Sequence, residues 1–216
     1  SIDLIAIIDY GSQYTHLINK RLRSLNVYSL IYPSILHLLE NSRDNYNIKG
    51  IILSGGPGNV NDVLEENDIN LNNITIPILG ICLGAQLLAT IHGANIIENT
   101  NQEYGKTTVY CSYFSAEDLY EPLLYNIPSR FTVWMSHGHS INLPLGTNNK
   151  SILTPLLNTT NTVAAFKHPI LQQWALLFHP EVYHTEHGIQ ILDNFLNICN
   201  CQRTWKPINI IQQKYD

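Results

Sequence analysis

The stretch ITIPILGICLGAQLLATI, residues 74–91, sets a cysteine between two glycines where one hydrophobic pattern gives way to another. Residues 74–81 are an apolar run of strand length, and residues 85–91 have the pattern of a short helix. A strand that leads directly into a helix is the repeating unit of a parallel sheet covered on both faces by helices. The stretch therefore favours an α/β fold, with Cys82 in the turn between strand and helix.

The same alternation precedes this stretch, and a different pattern follows it. Apolar runs and helical spacing predict strands at 4–8, 27–31 and 50–53 and helices at 14–25 and 35–39. After the third strand and the stretch SGGPGN, a loop-rich segment is predicted as far as Asn73. From Ala94 onward, short strands between turn residues suggest antiparallel additions at 94–97, 106–110, 130–134, 152–156, 162–166 and 174–178. A last helix is predicted at about 186–199. We thus expect a mainly parallel central sheet with helices on both faces and an antiparallel extension.

Length, charge and cysteine usage narrow the function classes. The 216 residues suit one α/β domain, or at most two small ones. A formal net charge of −5 and the lack of Lys/Arg runs argue against nucleic-acid binding. The sequence shows no apolar stretch of membrane-spanning length and no signal-peptide layout at its N-terminus. The four cysteines form no CxxC pair, so we expect free thiols in a reducing, cytoplasmic setting.

Cys82 has the surroundings of a nucleophile. The pattern G-x-C-x-G, from Gly80 to Gly84, has the spacing of the nucleophile elbow G-x-S-x-G, with sulfur in place of oxygen. A thiol at a helix N-terminus is favoured as thiolate, and the N–H of Leu83 is free to bind an oxyanion. Free cysteine is also among the most often buried residue types, so the pattern alone leaves a packing role open.

A base for the thiol is available near the end of the chain. His179, in the stretch LLFHPEVYHTEHG, ends a predicted strand, and Glu181 is close enough in sequence to hold its ring in one tautomer. His184 and His187 are the other candidates, but their spacing from His179 fits no zinc pattern, so we predict no metal site. Thr185 is interpreted as the cap of the last helix.

The glycine-rich stretch SGGPGN, residues 54–59, follows another predicted strand. Its glycines allow backbone N–H groups to approach a ligand closely. The segment lacks the Lys-Ser/Thr of a P-loop. A phosphate cradle, an oxyanion donor beside Cys82, and an ordinary turn all remain open on this pattern.

In this order, SGGPGN, GICLGAQ and FHPEVYHTEHG resemble the motifs of the class I glutamine amidotransferase family. The similarity covers nearly the whole chain. Within the family, DYGSQYTHLI, SGGPGNV, VWMSHGHSI and FHPEVYHTEHG look most like the glutaminase domains of the GMP synthetase branch. The resemblance implies the three-layer, flavodoxin-like fold of this family.

The resemblance also implies roles for particular residues. Cys82 would attack the side-chain amide of glutamine, with His179 as base and then acid and Glu181 orienting His179. Gly56 and Leu83 match the backbone donors of the oxyanion hole. The positions that match glutamine-binding residues are Gly58, Gln86, Ser136, Gly138 and His139. At position 139 this branch commonly has Asp. If that Asp communicates with the synthetase, His139 would alter the coupling; the alternative is a surface-loop histidine that uses only its backbone.

A second active site is implied as well. The ammonia would pass to an ATP-pyrophosphatase, or synthetase, domain that aminates XMP to GMP, in cis or in trans. The sequence contains no SGGVDS-like loop, so ATP and magnesium are expected only in that partner and no cofactor in this chain. We interpret residues 1–204 as the amidotransferase domain and 205–216 as the start of a linker. The alternatives are a subunit serving anthranilate, carbamoyl phosphate or CTP synthesis, or a domain inactive until docked on its synthetase half.

Overall fold

The computed structural model describes residues 1–41, 46–67, 71, 73–98, 104–112, 120–136, 138–143 and 152–207. The first half alternates strands and helices: β1 Ile2–Ile8, α1 Thr15–Ser24, β2 Tyr28–Tyr32, α2 Ile35–Asn41, β3 Tyr46–Leu53, α3 Val60–Asn67, β4 Ile78–Ile81 and α4 Leu83–Ile91. The second half is mostly strands: β5 Asn95–Glu98, β6 Tyr104–Cys111, a 3-10 turn Pro122–Leu124, β7 Arg130–Ser136, β8 His139–Asn142, β9 Thr154–Asn158, β10 Val163–Lys167, β11 Gln173–Leu176 and α5 Gly188–Ile198. None of the described helices is long and apolar enough to span a bilayer.

Within the described residues, nine strands form one sheet in the order β2-β1-β3-β4-β11-β10-β9-β6-β7. The pairs from β2 to β11 are parallel, and the pairs from β11 to β7 are antiparallel. The short strands β5 and β8 pair with each other outside this sheet. Helix α1 packs beside α5, and α3 packs beside α4. The predicted fold class, a parallel α/β sheet with an antiparallel extension, is confirmed.

One strand was assigned to the wrong part of the sheet. Residues 174–178 were expected among the antiparallel additions, but β11 runs parallel to β4 and meets the antiparallel strand β10 on its other edge. Every residue of β11 is buried, as is usual for a strand covered on both faces. The strand therefore joins the two halves of the sheet.

The prediction of a loop-rich segment before Asn73 missed helix α3. The side-chain oxygen of Asn59 accepts the N–H of Asn61, and the carbonyl of Asn59 accepts the N–H of Val63, which together start the helix. Val63 and Val60 then pack against Leu83. A helix with such a short apolar stripe is stabilised by tertiary packing more than by its own propensity.

Helix α5 begins later than predicted and is not capped by Thr185. It starts at Gly188, and the residue before it, His187, has φ 59° and no side-chain capping bond. The hydroxyl of Thr185 is instead bonded to backbone groups of Trp134 and His179. Further on, the N–H of Trp205 donates to the carbonyl of Asn26. The proposed domain boundary after residue 204 stays a prediction, and residues 208–216 lie outside the described part.

The core follows the middle of the sheet. Residues 4–8 of β1 and all of β4 are buried, and α1, α4 and α5 cover them with apolar side chains: Ile18, Leu22, Ala85, Leu88, Ala89, Ile191, Leu192, Phe195. Each fully buried Leu, Ile or Phe contributes roughly 1.5–3 kcal/mol. The segments that follow β1, β3, β4 and β11 all leave the sheet at the carboxyl edge, the usual position of ligand sites in such sheets.

The close approach of β3 to the start of α4 yields a stability prediction. A Cβ on Gly84 would overlap the carbonyl oxygen of Leu53 and lie 2.7 Å from its Cβ. Gly84→Ala should gain about 1 kcal/mol of helix propensity but lose more through backbone displacement, for a net loss of about 1–3 kcal/mol. Urea unfolding followed by circular dichroism measures the change.

Gly58→Ala is the matched control for this substitution. A Cβ there would meet its nearest neighbour, Val63 Cγ2, at an ordinary 3.7 Å. Its free energy of unfolding should stay within about 1 kcal/mol of the parent. Equal stability of the two variants would contradict the steric explanation.

Candidate active site

Cys82 occupies the turn between β4 and α4. Its backbone has φ 53° and ψ −105°, values that a non-glycine residue rarely adopts and that cost about 1–3 kcal/mol. Two hydrogen bonds hold the turn: Cys82 N–H to the carbonyl of Leu176 at 2.8 Å, and Gln86 N–H to the carbonyl of Cys82 at 2.9 Å. The sharp turn requires small flanking residues, because a Cβ on Gly80 would lie 2.6 Å from the backbone of Gly84. This geometry is that of a nucleophile elbow.

Three predicted residues meet at this turn. Cys82 Sγ lies 3.3 Å from His179 Nε2, and His179 Nδ1 lies 2.6 Å from Glu181 Oε1. His179 is 5% exposed and Glu181 1% exposed, so water competes little for either side chain. The other oxygen of Glu181, Oε2, has no hydrogen-bond partner among the described residues. Glu181 therefore directs its interaction toward the His179 ring.

Cys82 and His179 lie at a cleft of about 490 Å³. The cleft is lined by Cys82 and His179 and by every residue matched to glutamine binding or to the oxyanion hole: Gly56, Gly58, Leu83, Gln86, Ser136, Gly138, His139. Glu181 stands behind His179, away from the lining. The cleft volume is in the usual range for small-molecule sites.

Sequence reasoning missed part of this lining. Residues 11–14 and Pro57 also face the cleft. The ring of Tyr14 lies edge-on to that of His179, with ring centroids 4.9 Å apart. The stretch DYGSQ directly follows the first predicted strand, and that position was the available signal, but no residue type in it points to a particular contact.

The profile of the class-I glutamine amidotransferases matches residues 6–199. The chain belongs to this family.

Proteins similar to this chain include GMP synthases, a narrower group than the family. The chain is 38% identical to a GMP synthase (glutamine-hydrolysing) of Brachyspira hyodysenteriae over 98% of its own length, and 39% identical to that of Spiroplasma kunkelii over 96%. It spans only 39% and 38% of these relatives. The crystal structure of a protein assigned as a GMP synthase subunit from Thermoplasma acidophilum is 30% identical, with a TM-score of 0.75 and coverage of 99% of this chain and 98% of that one.

The amidotransferase places two backbone N–H groups where the oxyanion hole was predicted. Gly56 and Leu83 both line the cleft, and neither N–H has an acceptor among the described residues. A Cβ on Gly56 would overlap the carbonyl oxygen of Tyr10, so a side chain there would displace the loop. The side chain of Leu83 is buried, which leaves its backbone as the part that can meet a ligand.

The electrostatic state of His179 follows from its three neighbours. Burial lowers the pKa of His179, but the charge and hydrogen bond of Cys82, together with those of Glu181, outweigh it and raise the pKa to about 11. The ring is therefore an imidazolium at neutral pH, held between sulfur and carboxylate. A cysteine in contact with a histidine that a carboxylate orients is the arrangement that nucleophilic catalysis at a carbonyl carbon uses.

The two remaining histidines of this region pack against aromatic rings. His184 lies 4.9 Å from Trp134, and His187 lies 5.8 Å from Phe131, measured between ring centroids. Within the described ranges, no three His, Cys, Asp or Glu side chains are grouped so as to hold a metal ion.

Removing the sulfur tests this electrostatic description. Cys82→Ala deletes two influences that raise the pKa of His179 and leaves burial, which lowers it, opposed by Glu181 alone. The pKa should fall below about 11, which NMR titration of the His179 ring measures. Cys111→Ala, which removes a thiol outside the cleft, should leave it unchanged. An unchanged pKa in Cys82→Ala would show that sulfur does not hold the proton on His179.

Proposed function

We propose that this amidotransferase hydrolyses glutamine to glutamate and ammonia through a thioester on Cys82. One observation carries the proposal: the contact of Cys82 Sγ with His179 Nε2 at 3.3 Å, backed by the 2.6 Å bond from His179 to Glu181, at the wall of a small cleft. A nucleophile, a base and an orienting carboxylate in hydrogen-bond sequence are what acyl transfer requires. Membership of the family supports glutamine as the acyl donor.

In the first half of the reaction, the Cys82 thiolate attacks the amide carbon of glutamine. The negative charge that forms on the amide oxygen is bound by the N–H groups of Gly56 and Leu83. As the intermediate collapses, protonated His179 gives its proton to the departing nitrogen. The carbon–nitrogen bond breaks, ammonia leaves, and a γ-glutamyl thioester remains on Cys82.

In the second half, His179 changes from acid to base. Once the sulfur is acylated, the thiolate no longer raises the pKa of His179, and burial then lowers it against Glu181 alone. The neutral ring takes a proton from water, which attacks the thioester, and the oxyanion hole is used again. Glutamate leaves, and the thiolate–imidazolium pair is restored.

Glutamine is held by groups around the opening of the cleft. The amide of Gln86, on the first turn of α4, can donate and accept toward the amino-acid end of the substrate. Strand β7 ends at Ser136 and β8 begins at His139, and the Ser136 hydroxyl accepts the N–H of Gly138 at 3.3 Å. Gly58 also lines the cleft.

The ammonia is used, we propose, by a synthetase that aminates XMP to GMP in the cytoplasm. The similar proteins of Brachyspira hyodysenteriae and Spiroplasma kunkelii, both GMP synthases (glutamine-hydrolysing), support this acceptor. The synthetase would bind ATP and magnesium and would join this chain in cis or in trans. Coupling between the two sites would limit glutamine hydrolysis to a loaded acceptor.

The nucleophile is tested by one substitution. In the complete natural protein, Cys82→Ala should reduce glutamate release from glutamine by more than about 10³-fold, because the thioester cannot form, while GMP synthesis from free ammonia persists. Cys111→Ala should keep both activities. Glutamine-dependent activity in Cys82→Ala would exclude Cys82 as the nucleophile.

The acceptor is tested by isotope transfer. With amide-¹⁵N glutamine, XMP and ATP, the complete protein should form ¹⁵N-labelled GMP, and XMP with ATP should raise the rate of glutamate release. Label in anthranilate, carbamoyl phosphate or CTP, when their precursors are supplied instead, would assign the chain to another synthesis. A rate of glutamate release indifferent to XMP and ATP would argue against coupling.

A further inference from the structure

The hydroxyl of Thr185 joins two backbone groups from different parts of the chain. Its Oγ1 donates to the carbonyl of His179 at 2.6 Å and accepts the N–H of Trp134 at 2.9 Å. The residue is 7% exposed, so water cannot readily replace either bond. Thr185 therefore links β7 to the backbone of the triad histidine.

Both bonds have a determined direction. A carbonyl only accepts and a backbone N–H only donates, so the single hydroxyl proton must point to His179. Of the common side chains of this size, only Thr and Ser can make both bonds well. A valine would fill the same space and leave a buried carbonyl and a buried N–H without partners.

This link continues a short pairing between the same two segments. Met135 and Phe178 form an isolated antiparallel bridge, and the N–H of His179 donates to the carbonyl of Trp134 at 3.0 Å. Beyond this point, Pro180 has no N–H to donate, and the backbone of the segment bonds the β7 backbone again only at Glu186, whose N–H donates to the carbonyl of Thr132 at 2.9 Å among the described residues. The Thr185 hydroxyl adds a side-chain link between the same two segments, because it bonds both Trp134 and His179.

Thr185 reaches the chemistry only through His179. It does not line the cleft, and its bonds go to backbone atoms. Among the described residues, one other side chain bonds the backbone between His179 and Glu181. Arg21 Nε donates to the carbonyl of Glu181 at 3.1 Å. Thr185 thus holds the histidine and Arg21 the glutamate.

We infer that Thr185 is a positioning residue, whose hydroxyl fixes the His179 backbone against β7 so that Nε2 stays in contact with Cys82 Sγ. The catalytic part of this inference rests on the proposed glutamine hydrolysis. Misplacing a reacting group by about 1 Å can cost 10²-fold in rate. Since Thr185 does not itself line the cleft, its loss should act on kcat far more than on KM.

The experiment compares Thr185→Val with Thr185→Ser in the complete natural protein. Thr185→Val should lower kcat for glutamine hydrolysis by about 10–100-fold with KM changed less than about threefold. Thr185→Ser, which keeps the hydroxyl, should restore kcat to within about threefold. NMR titration should show a lower His179 pKa in Thr185→Val, because looser contacts with Cys82 and Glu181 leave burial dominant.

Asn194→Leu is the matched control for stability. Asn194 is 2% exposed and its amide donates to the carbonyls of Leu123 and Tyr125, both at 2.8 Å, so it too bonds two backbone groups from a buried site. Its loss should lower the melting temperature as Thr185→Val does and leave kcat and the His179 pKa unchanged. If Thr185→Val does not fold, Thr185→Cys, with a weaker donor and acceptor, should show the same changes at smaller size.

The outcomes separate this inference from the proposed function. Wild-type kcat and His179 pKa in folded Thr185→Val or Thr185→Cys would overturn the positioning role, as would an equal fall of kcat in Asn194→Leu or no recovery in Thr185→Ser. If the parent protein released no glutamate from glutamine, the proposed function would fail. The His179 pKa in the same variants would then still decide whether Thr185 positions the ring.

Discussion

The parallel pairing of β4 with β11 is the constraint on which the site depends. The register sets Ile81 against Leu176, and the N–H of Cys82 then bonds the carbonyl of Leu176 at 2.8 Å. Cys82 and His179, 97 positions apart in the chain, are thereby brought to one edge of the sheet. A slip by one residue would turn the side chains of a strand to the opposite face. Every residue of both strands is buried, so such a slip would repack side chains on both faces of the sheet.

At the edge of the paired strands, burial and neighbouring charges have opposite effects on the pKa of His179. Burial alone would keep the His179 ring neutral, and the sulfur and carboxylate on its two nitrogens overcome that tendency. Acylation of the sulfur would remove the contribution of Cys82 that raises the pKa of His179. In the proposed reaction, the same ring would then serve as acid in one half and as base in the other, while bonds from Trp134 and Thr185 hold its backbone.

Much of this could be predicted from local patterns. The alternation of apolar runs and helical spacing predicted the parallel half of the sheet, and the glycines flanking Cys82 predicted the tight turn. Both are local signals, because strand, turn and helix are consecutive in the chain. Helix α3 was missed because its apolar stripe is short and its partner, Leu83, lies on another helix. Strand β11 was misassigned because a strand pattern reports burial but not the direction of its neighbour.

By itself the sequence determined which residues could do the chemistry: a thiol in an elbow, a histidine with a carboxylate two residues on, and glycines able to bring N–H groups close. Tertiary structure alone decided which of them meet and what holds them. The edge-on ring of Tyr14, the bond from Arg21 to Glu181 and the link from Thr185 to His179 each join distant segments. From sequence, Thr185 was interpreted as a helix cap because it lies next to a predicted helix. Its bond to Trp134, 51 positions away, cannot be recognised from the residues beside it in the chain.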